Sequence, residues 1–348
     1  MSPPSESTCN LERQGKVRAS CRVQGTLAEG TACQTTLRRR GDELQRLIRS
    51  AHLSRPENYF SIYQSGCNFS CRKCHSWEFS QFADGEWMSP EDIAATCREY
   101  ERHVTLVEPR ERCTAWHAHL SCRCCGACVL RGERPEQCPG ILSPEQVLLS
   151  PQGYGPARNI IGFTGGDLTC RPEFYVRCTE LIKASTHLWV LIETNGYGLT
   201  DENLDVLART GVDGFWLDIK AFDPQAHTWL TGAGNADILT LPGRMLERGF
   251  VLEVLSLYIP GVVEADQLGA IAGLLADADR AIPFTILAFF PEFLMRKHRG
   301  PNAQEMTDAY ERARETGLEN VRLGNLGVFL HGDDDYRYLR ERCGSDAF

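Results

Sequence analysis

At 348 residues, with 42% hydrophobic and 24% charged residues, the chain is long enough to bury a large core in one barrel-sized domain or two smaller ones. Acidic residues exceed basic ones by 46 to 37, a formal charge of -9, which argues against a general nucleic-acid binder held by phosphate contacts. No apolar run approaches the roughly 20 residues needed to cross a bilayer. The start, Met1-Ser2-Pro3-Pro4-Ser5-Glu6, lacks the charged and apolar regions of a signal peptide, so no membrane partner and a cytoplasmic location are expected. Sixteen cysteines in such a chain read as metal ligands rather than disulfides.

Residues 1–57 are polar and carry Cys9, Cys21 and Cys33, an Arg38-Arg39-Arg40 run, and a helix-like stretch over 42–48 with Leu44, Leu47 and Ile48 on one face. This segment is expected to be an extension capping the core. Its three cysteines have irregular spacing; the alternative is that they join a metal or corrinoid site. From Tyr59 onward short apolar runs alternate with amphipathic ones, the pattern of repeated βα units around a parallel sheet. Strands are expected at 59–64, 159–163, 188–193, 214–219, 251–256, 284–289 and 321–324. Helices are expected at 90–103, 171–184, 201–209, 265–276 and 303–316, with Ser89 and Thr200 as N-caps. Six or seven strands fall short of a closed eight-stranded barrel, so the expected fold is α/β, a partial (β/α)6 TIM-like barrel over 58–330. A Cys-rich insertion over 105–140 and a tail over 331–348 complete the expected layout. Sites in such sheets gather at the C-terminal ends of the strands.

Cys67, Cys71 and Cys74 follow the first of these strands, spaced CxxxCxxC. Three thiolates can hold three irons of a [4Fe-4S] cube and leave the fourth without a protein ligand, open to chemistry. The motif resembles the signature of radical S-adenosylmethionine (SAM) enzymes, in which the open iron chelates the amino and carboxylate groups of SAM. Further motifs follow in order. Gly165-Gly166-Asp167 after the second strand is similar to the family's GGE motif, which binds the SAM amino group; two glycines admit close backbone approach, and Asp shortens the acidic reach by one methylene. Glu193-Thr194-Asn195 and Asp218-Ile219-Lys220 look like the strand ends of the pyruvate formate-lyase activating enzyme branch that contact SAM ribose and carboxylate. The resemblance implies those roles for Glu193, Asn195, Asp218 and Lys220. It also implies that Phe290, in the run Ala288-Phe289-Phe290-Pro291-Glu292-Phe293, supports adenine.

The insertion carries Cys113, Cys122, Cys124, Cys125, Cys128 and Cys138. Cys122, Cys125, Cys128 and Cys138 give CxxCxxCx9C before Pro139, similar to a ferredoxin half-motif with a lengthened last gap. Four thiolates would close a site holding an auxiliary Fe-S cluster, iron or zinc. Cys113, Cys124, His117 and His119 are spare candidates. Isolated Cys97, Cys170, Cys178 and Cys343 are expected to be small core hydrophobes, with Cys170 set apart by its place three residues beyond Asp167.

The resemblance implies one-electron reduction by a low-potential donor, a 5'-deoxyadenosyl radical, and hydrogen abstraction from a protein or peptide substrate. One branch consists of glycyl-radical activases. The block from Tyr59 to Phe329 also looks like an archaeal branch that includes cobalamin-dependent C-methylation of a glutamine in methyl-coenzyme M reductase; in this sequence no separate cobalamin-binding Rossmann domain is expected ahead of the barrel, and there is no DxHxxG loop. A non-catalytic electron-transfer protein would account for the cysteines but not for the ordered strand-end motifs. Tyr63, Tyr197, Tyr258 and Trp77 are aromatic positions near strand ends that an extended peptide could meet.

Overall fold

The structure is a computed structural model that describes residues 9–16, 20–25 and 28–348. Seven parallel strands lie side by side in chain order: β1 (Phe60–Gln64), β2 (Ile160–Gly165), β3 (Trp189–Thr194), β4 (Gly214–Asp218), β5 (Val251–Tyr258), β6 (Phe284–Ala288) and β7 (Val321–Gly324). The path ends at β7 on one side, while antiparallel strands extend it beyond β1 on the other. This is a partial barrel with one parallel strand more than six.

Each strand alternates its side chains. Ile62, Phe163, Ile192, Phe215, Val254 and Phe284 are fully buried within the main core, as β-branched and aromatic residues on the covered face of a parallel sheet should be. Their neighbours Tyr63, Thr164, Glu193, Trp216 and Leu255 line the interior cavity, so polar groups occupy the lumen at mid-height.

Helices Pro90–Glu101, Glu173–Ser185, Asp201–Thr210, Ala265–Ala278 and Ala303–Glu315 appear where the 3.6-residue pattern places them. The Ser89 side chain accepts from Asp92 N with Pro90 in the first turn, and the Thr200 side chain accepts from Asn203 N. Gly211 stops the third of these helices at φ +98, a conformation costly for any side chain. No described helix is long and apolar enough to cross a membrane.

The extension departs from its expected helix. Asp42 lies in a turn and residues 43–48 fall in the strand Glu43–Leu53, which pairs antiparallel with Leu37–Arg40, with Glu86–Met88 and with β1, Leu53 opposite Phe60 and Ile48 opposite Gln64. The free edge of β1 offers unpaired N–H and C=O groups, and satisfying them outweighs a local helical pattern. Pairing also buries Arg46. Its Nη1 donates to Tyr175 Oη at 2.9 Å and its Nη2 to Gly166 O at 3.2 Å, so the extension holds the loop that follows β2.

The first half of the insertion stoppers the N-terminal end of the barrel. Cys113 and Ala115 are buried with Tyr59, Ile160 and Leu191 in a small second core. Trp116 N donates to Glu253 Oε2 at 2.8 Å, Trp116 O accepts from Arg322 Nη1 at 2.9 Å, and the Arg322 guanidinium lies 4.0 Å from the Trp116 ring centroid. Fully buried Arg158 donates from Nε to Glu108 Oε2 at 2.6 Å and from Nη1 to Glu57 O at 3.1 Å and Thr114 O at 2.9 Å. The tail, expected only as an appendage, forms the helix Asp333–Cys343 and docks on the insertion through Arg123 Nη1 to Phe348 O, 2.9 Å.

Candidate active site

The loops after β1, β2, β3, β4, β6 and β7 converge on one cavity of about 630 Å³. Cys67, Cys71, Cys74, Gly165, Asp167, Glu193, Asn195, Asp218, Lys220 and Phe290 all line it. Of the residues expected at the site, Gly166 stays outside the lining; an added Cβ there would lie 2.2 Å from Gly66 O, so it is the backbone of the cysteine loop that requires this glycine. Gly165 needs its glycine for a second reason, φ +86.

The cysteine loop is fixed at both ends. Asn68 N donates to Asp167 O at 2.9 Å, Gly66 N to Phe79 O at 2.9 Å, and Asn68 Nδ2 to Tyr197 O at 2.7 Å. Cys67 Sγ receives Phe69 N at 3.4 Å and Asn195 Nδ2 at 3.6 Å, while Cys74 Sγ meets Ser80 Oγ at 3.2 Å. Such donors steady a thiolate and tune a metal it holds. Burial, the neighbouring Asp167 carboxylate and the other two cysteines push the Cys67 thiol up, and burial above all holds Cys71 at about 12. Metal uptake would therefore release protons. Among the described residues no three His, Cys, Asp or Glu side chains converge on a point to share one ion. Three thiolates that each take a different iron have no need to do so.

Asp167 is buried and fully engaged: Oδ1 accepts from Thr169 N at 2.7 Å, and Oδ2 from Thr194 Oγ1 at 2.7 Å and Asn195 N at 2.8 Å. It ties the ends of β2 and β3 together and aims Asn195, whose Nδ2 also reaches Asn68 Oδ1 at 2.7 Å. Across the cavity Lys220 Nζ pairs with Asp218 Oδ2. Burial opposes the Lys220 charge, but Asp218 and the Cys71 and Cys74 sulfurs raise its pKa overall. Asp218 Oδ1 and Trp216 Nε1 are buried without a hydrogen-bond partner, two polar atoms turned to a cavity that calls for a polar ligand.

Several lining residues carry no motif. Lys73 Nζ donates to Glu292 Oε2 at 2.8 Å and lies 3.6 Å from the Phe290 ring centroid, while His75 meets Phe290 edge-on at 5.6 Å and Glu292 at 3.3 Å. The pairs clamp the cysteine loop to the segment after β6. The position of Lys73 within CxxxCxxC was the only sequence signal for this. Deeper in the lumen, Glu193 accepts from Tyr59 Oη at 2.7 Å and from Thr164 Oγ1. Burial pushes its pKa up to about 8, with Glu57 and Glu253 adding to the rise against those two hydrogen bonds. Of the four aromatic residues near strand ends, Tyr63 lines the cavity, Tyr197 and Tyr258 are buried in the core, and Trp77 stacks on Phe293 at 5.0 Å.

In the insertion, Cys113 is a core residue, and His117 Nδ1 pairs with Thr114 Oγ1 at 2.9 Å. Cys122, Cys124, Cys128 and Cys138 are half-buried and Cys125 exposed. Cys97, Cys170 and Cys178 are buried as expected, and Cys343 is half-buried.

The Radical SAM superfamily model matches residues 118–271. The match covers somewhat under half of the chain, and the family it describes holds a [4Fe-4S] cluster and SAM as its cofactors. A putative glycyl-radical enzyme activating enzyme of Methanocaldococcus jannaschii is 29% identical over 129 residues, 36% of this chain and 48% of that protein, so the match spans about half of the relative's length. Among solved structures, a domain of pyruvate-formate lyase-activating enzyme from Bacteroides vulgatus is similar at 20% identity and TM-score 0.41, over 47% of this chain and 98% of that one. Streptococcus suis SuiB is similar at 12% identity and TM-score 0.47, over 76% of this chain and 48% of that one.

Proposed function

We propose that this chain is a radical SAM enzyme that abstracts a hydrogen atom from a residue of a protein or peptide presented at the barrel mouth. One observation carries the reading: the three cysteines, the Asp218–Lys220 pair with its unpaired Oδ1, and Phe290 face one cavity large enough for a cofactor and the end of a substrate. In this reading Cys67, Cys71 and Cys74 ligate the cluster. Lys220 meets the SAM carboxylate, Asp218, Glu193 and Asn195 meet its ribose side, and Phe290 carries adenine. The loop Gly165-Gly166-Asp167 lies at the amino group, with Asp167 acting by aiming Asn195. Reduced by one electron, the cluster and SAM supply the 5'-deoxyadenosyl radical. The chain's own work is to orient, to exclude water through the Trp116 stopper, and to leave the mouth open to a chain. Cys122, Cys125, Cys128 and Cys138 are assigned a second, closed site, and because they do not converge on one point an Fe-S cluster suits them better than a single iron or zinc ion.

Two fates of the substrate radical have support. The name of the Methanocaldococcus jannaschii relative favours leaving it on a glycine of a partner enzyme, which requires no further cofactor. Likeness to the archaeal branch favours methylation of a glutamine in methyl-coenzyme M reductase; His75, the histidine in the cavity lining, is engaged by Glu292, and no described residue stands out as a lower ligand for cobalamin. Anaerobic incubation with SAM and dithionite should yield 5'-deoxyadenosine, and its absence would refute the enzyme reading. An optical spectrum after incubation with methylcobalamin and reisolation then separates the fates: retained corrinoid bands favour methyl transfer, and a persistent glycine radical on a partner without them favours activation.

A further inference from the structure

Four cysteines far apart in the sequence lie near one another beside the triad loop. The strands Arg22–Gln24 and Glu29–Thr31 pair with Arg22 opposite Thr31, and Ala32 N donates to Cys21 O at 3.2 Å, which sets Cys21 next to Cys33. Cys9 leads into the short helix Asn10–Arg13, whose Asn10 Nδ2 donates to Cys170 O at 3.0 Å. Leu11 of that helix and Cys170 close on the same spot: a Cβ added to Gly198 would meet Cys170 Cβ at 2.5 Å and Leu11 Cδ2 at 2.7 Å. The Cys21 thiol lies within electrostatic reach of Cys33 and Cys9, and the Cys170 thiol within reach of Cys21 and Cys33. All four are free thiols.

Small buried hydrophobes would serve as well here as cysteines, if packing were the only demand. Four thiols from four separate segments, three of them in a polar extension, demand more than packing. Arg171 adds to the argument, since its guanidinium interacts with the Cys33 and Cys170 sulfurs and would offset the negative charge of a thiolate-bound cluster. Because the four do not converge on a single point, one tetrahedral ion suits them less well than a cluster whose irons are separate.

We infer that Cys9, Cys21, Cys33 and Cys170 together ligate an iron–sulfur cluster, a site distinct from the triad and from the insertion. Ser20 Oγ donates to Asn68 O at 2.9 Å, so this site abuts the loop that bears Cys67. The inference does not depend on what substrate the enzyme takes.

The test uses the full chain, reconstituted anaerobically with iron and sulfide, and a Cys9→Ser/Cys33→Ser variant altered at the two half-buried thiols so that the buried pair stays in place. Iron and acid-labile sulfide should each fall by about four per chain if the cluster is a cubane, and the corresponding signal should vanish from the electron paramagnetic resonance spectrum of the reduced protein. Equal iron and sulfide in both proteins would overturn the site, and zinc without sulfide would overturn the cluster. The unaltered chain provides a second measurement that needs no variant. Iodoacetamide should label Cys9 and Cys33 in the metal-free protein and spare them after reconstitution; equal labelling in both states would overturn the inference.

Discussion

The two ends of the barrel are built on opposite principles. At the N-terminal end most of the buried charge is matched within the chain: Arg158 faces Glu108 and three backbone carbonyls, and Trp116 bonds Glu253 Oε2 and Arg322 Nη1, although Arg322 Nε is left without a partner. At the C-terminal end Asp218 Oδ1 and Trp216 Nε1 lack partners, and the sulfurs of Cys67, Cys71 and Cys74 line open space. An unpaired buried polar atom costs about 1 to 3 kcal/mol, so a fold tolerates it where a ligand restores the bond. One end closes, the other receives.

The contrast is broken most severely at the triad. Cys67→Ala/Cys71→Ala/Cys74→Ala should abolish 5'-deoxyadenosine formation while the circular dichroism of the fold persists; residual cleavage would refute the ligand assignment. At the closed end the loss should be of stability instead. Arg158→Met leaves Glu108 buried beside Ser121 Oγ, its partner at 2.6 Å, without its main cation, at a cost of roughly 3 to 5 kcal/mol in a denaturant titration. A change under 1 kcal/mol would mean that the stopper is not anchored there. Next in size is the receiving pair. Lys220→Met should weaken SAM binding by about tenfold to a hundredfold, roughly 1.5 to 3 kcal/mol for a lost charge-assisted hydrogen bond, with melting temperature little changed in the absence of SAM. Unaltered affinity would return Lys220 to a structural ion pair.

What the sequence discloses follows the same division. All seven parallel strands were legible, and so was the gathering of the motif residues at their C-terminal ends, because apolar runs of the right length and short residue motifs are local signals. The strand Glu43–Leu53 was not, since its Leu44, Leu47 and Ile48 also fit a helical face and only the free edge of β1 decides between the two. The stopper was hidden too: Cys113 and Trp116 lie in a run of cysteines and histidines that reads as metal chemistry, yet their neighbours Ile160, Leu191 and Glu253 come from three distant strands. Asp167 was found as a motif residue, but its part in aiming Asn195 rests on a contact across 28 positions. Pairings of that range leave no trace in spacing.

Between the two ends sits Glu193, and it gives the most specific effect, one confined to a pH window. Its carboxyl, raised from the usual 4.5 to about 8 chiefly by burial, is favoured neutral in the folded chain. Below pH 4.5 it is protonated folded or unfolded and costs nothing. Between 4.5 and about 8 the unfolded chain ionises freely while the folded one does not, so stability falls as pH rises, and the loss is complete above about 8. Glu193→Gln, of the same shape and always neutral, should remove this part of the fall, leaving the variant more stable than the wild type at pH 8.5 by roughly 2 to 4 kcal/mol and similar to it at pH 4.5. Glu253, raised to about 7 mainly by burial, persists in both proteins and drops out of the difference. Parallel pH profiles for the two proteins in thermal melts would show instead that Glu193 is already charged in the fold.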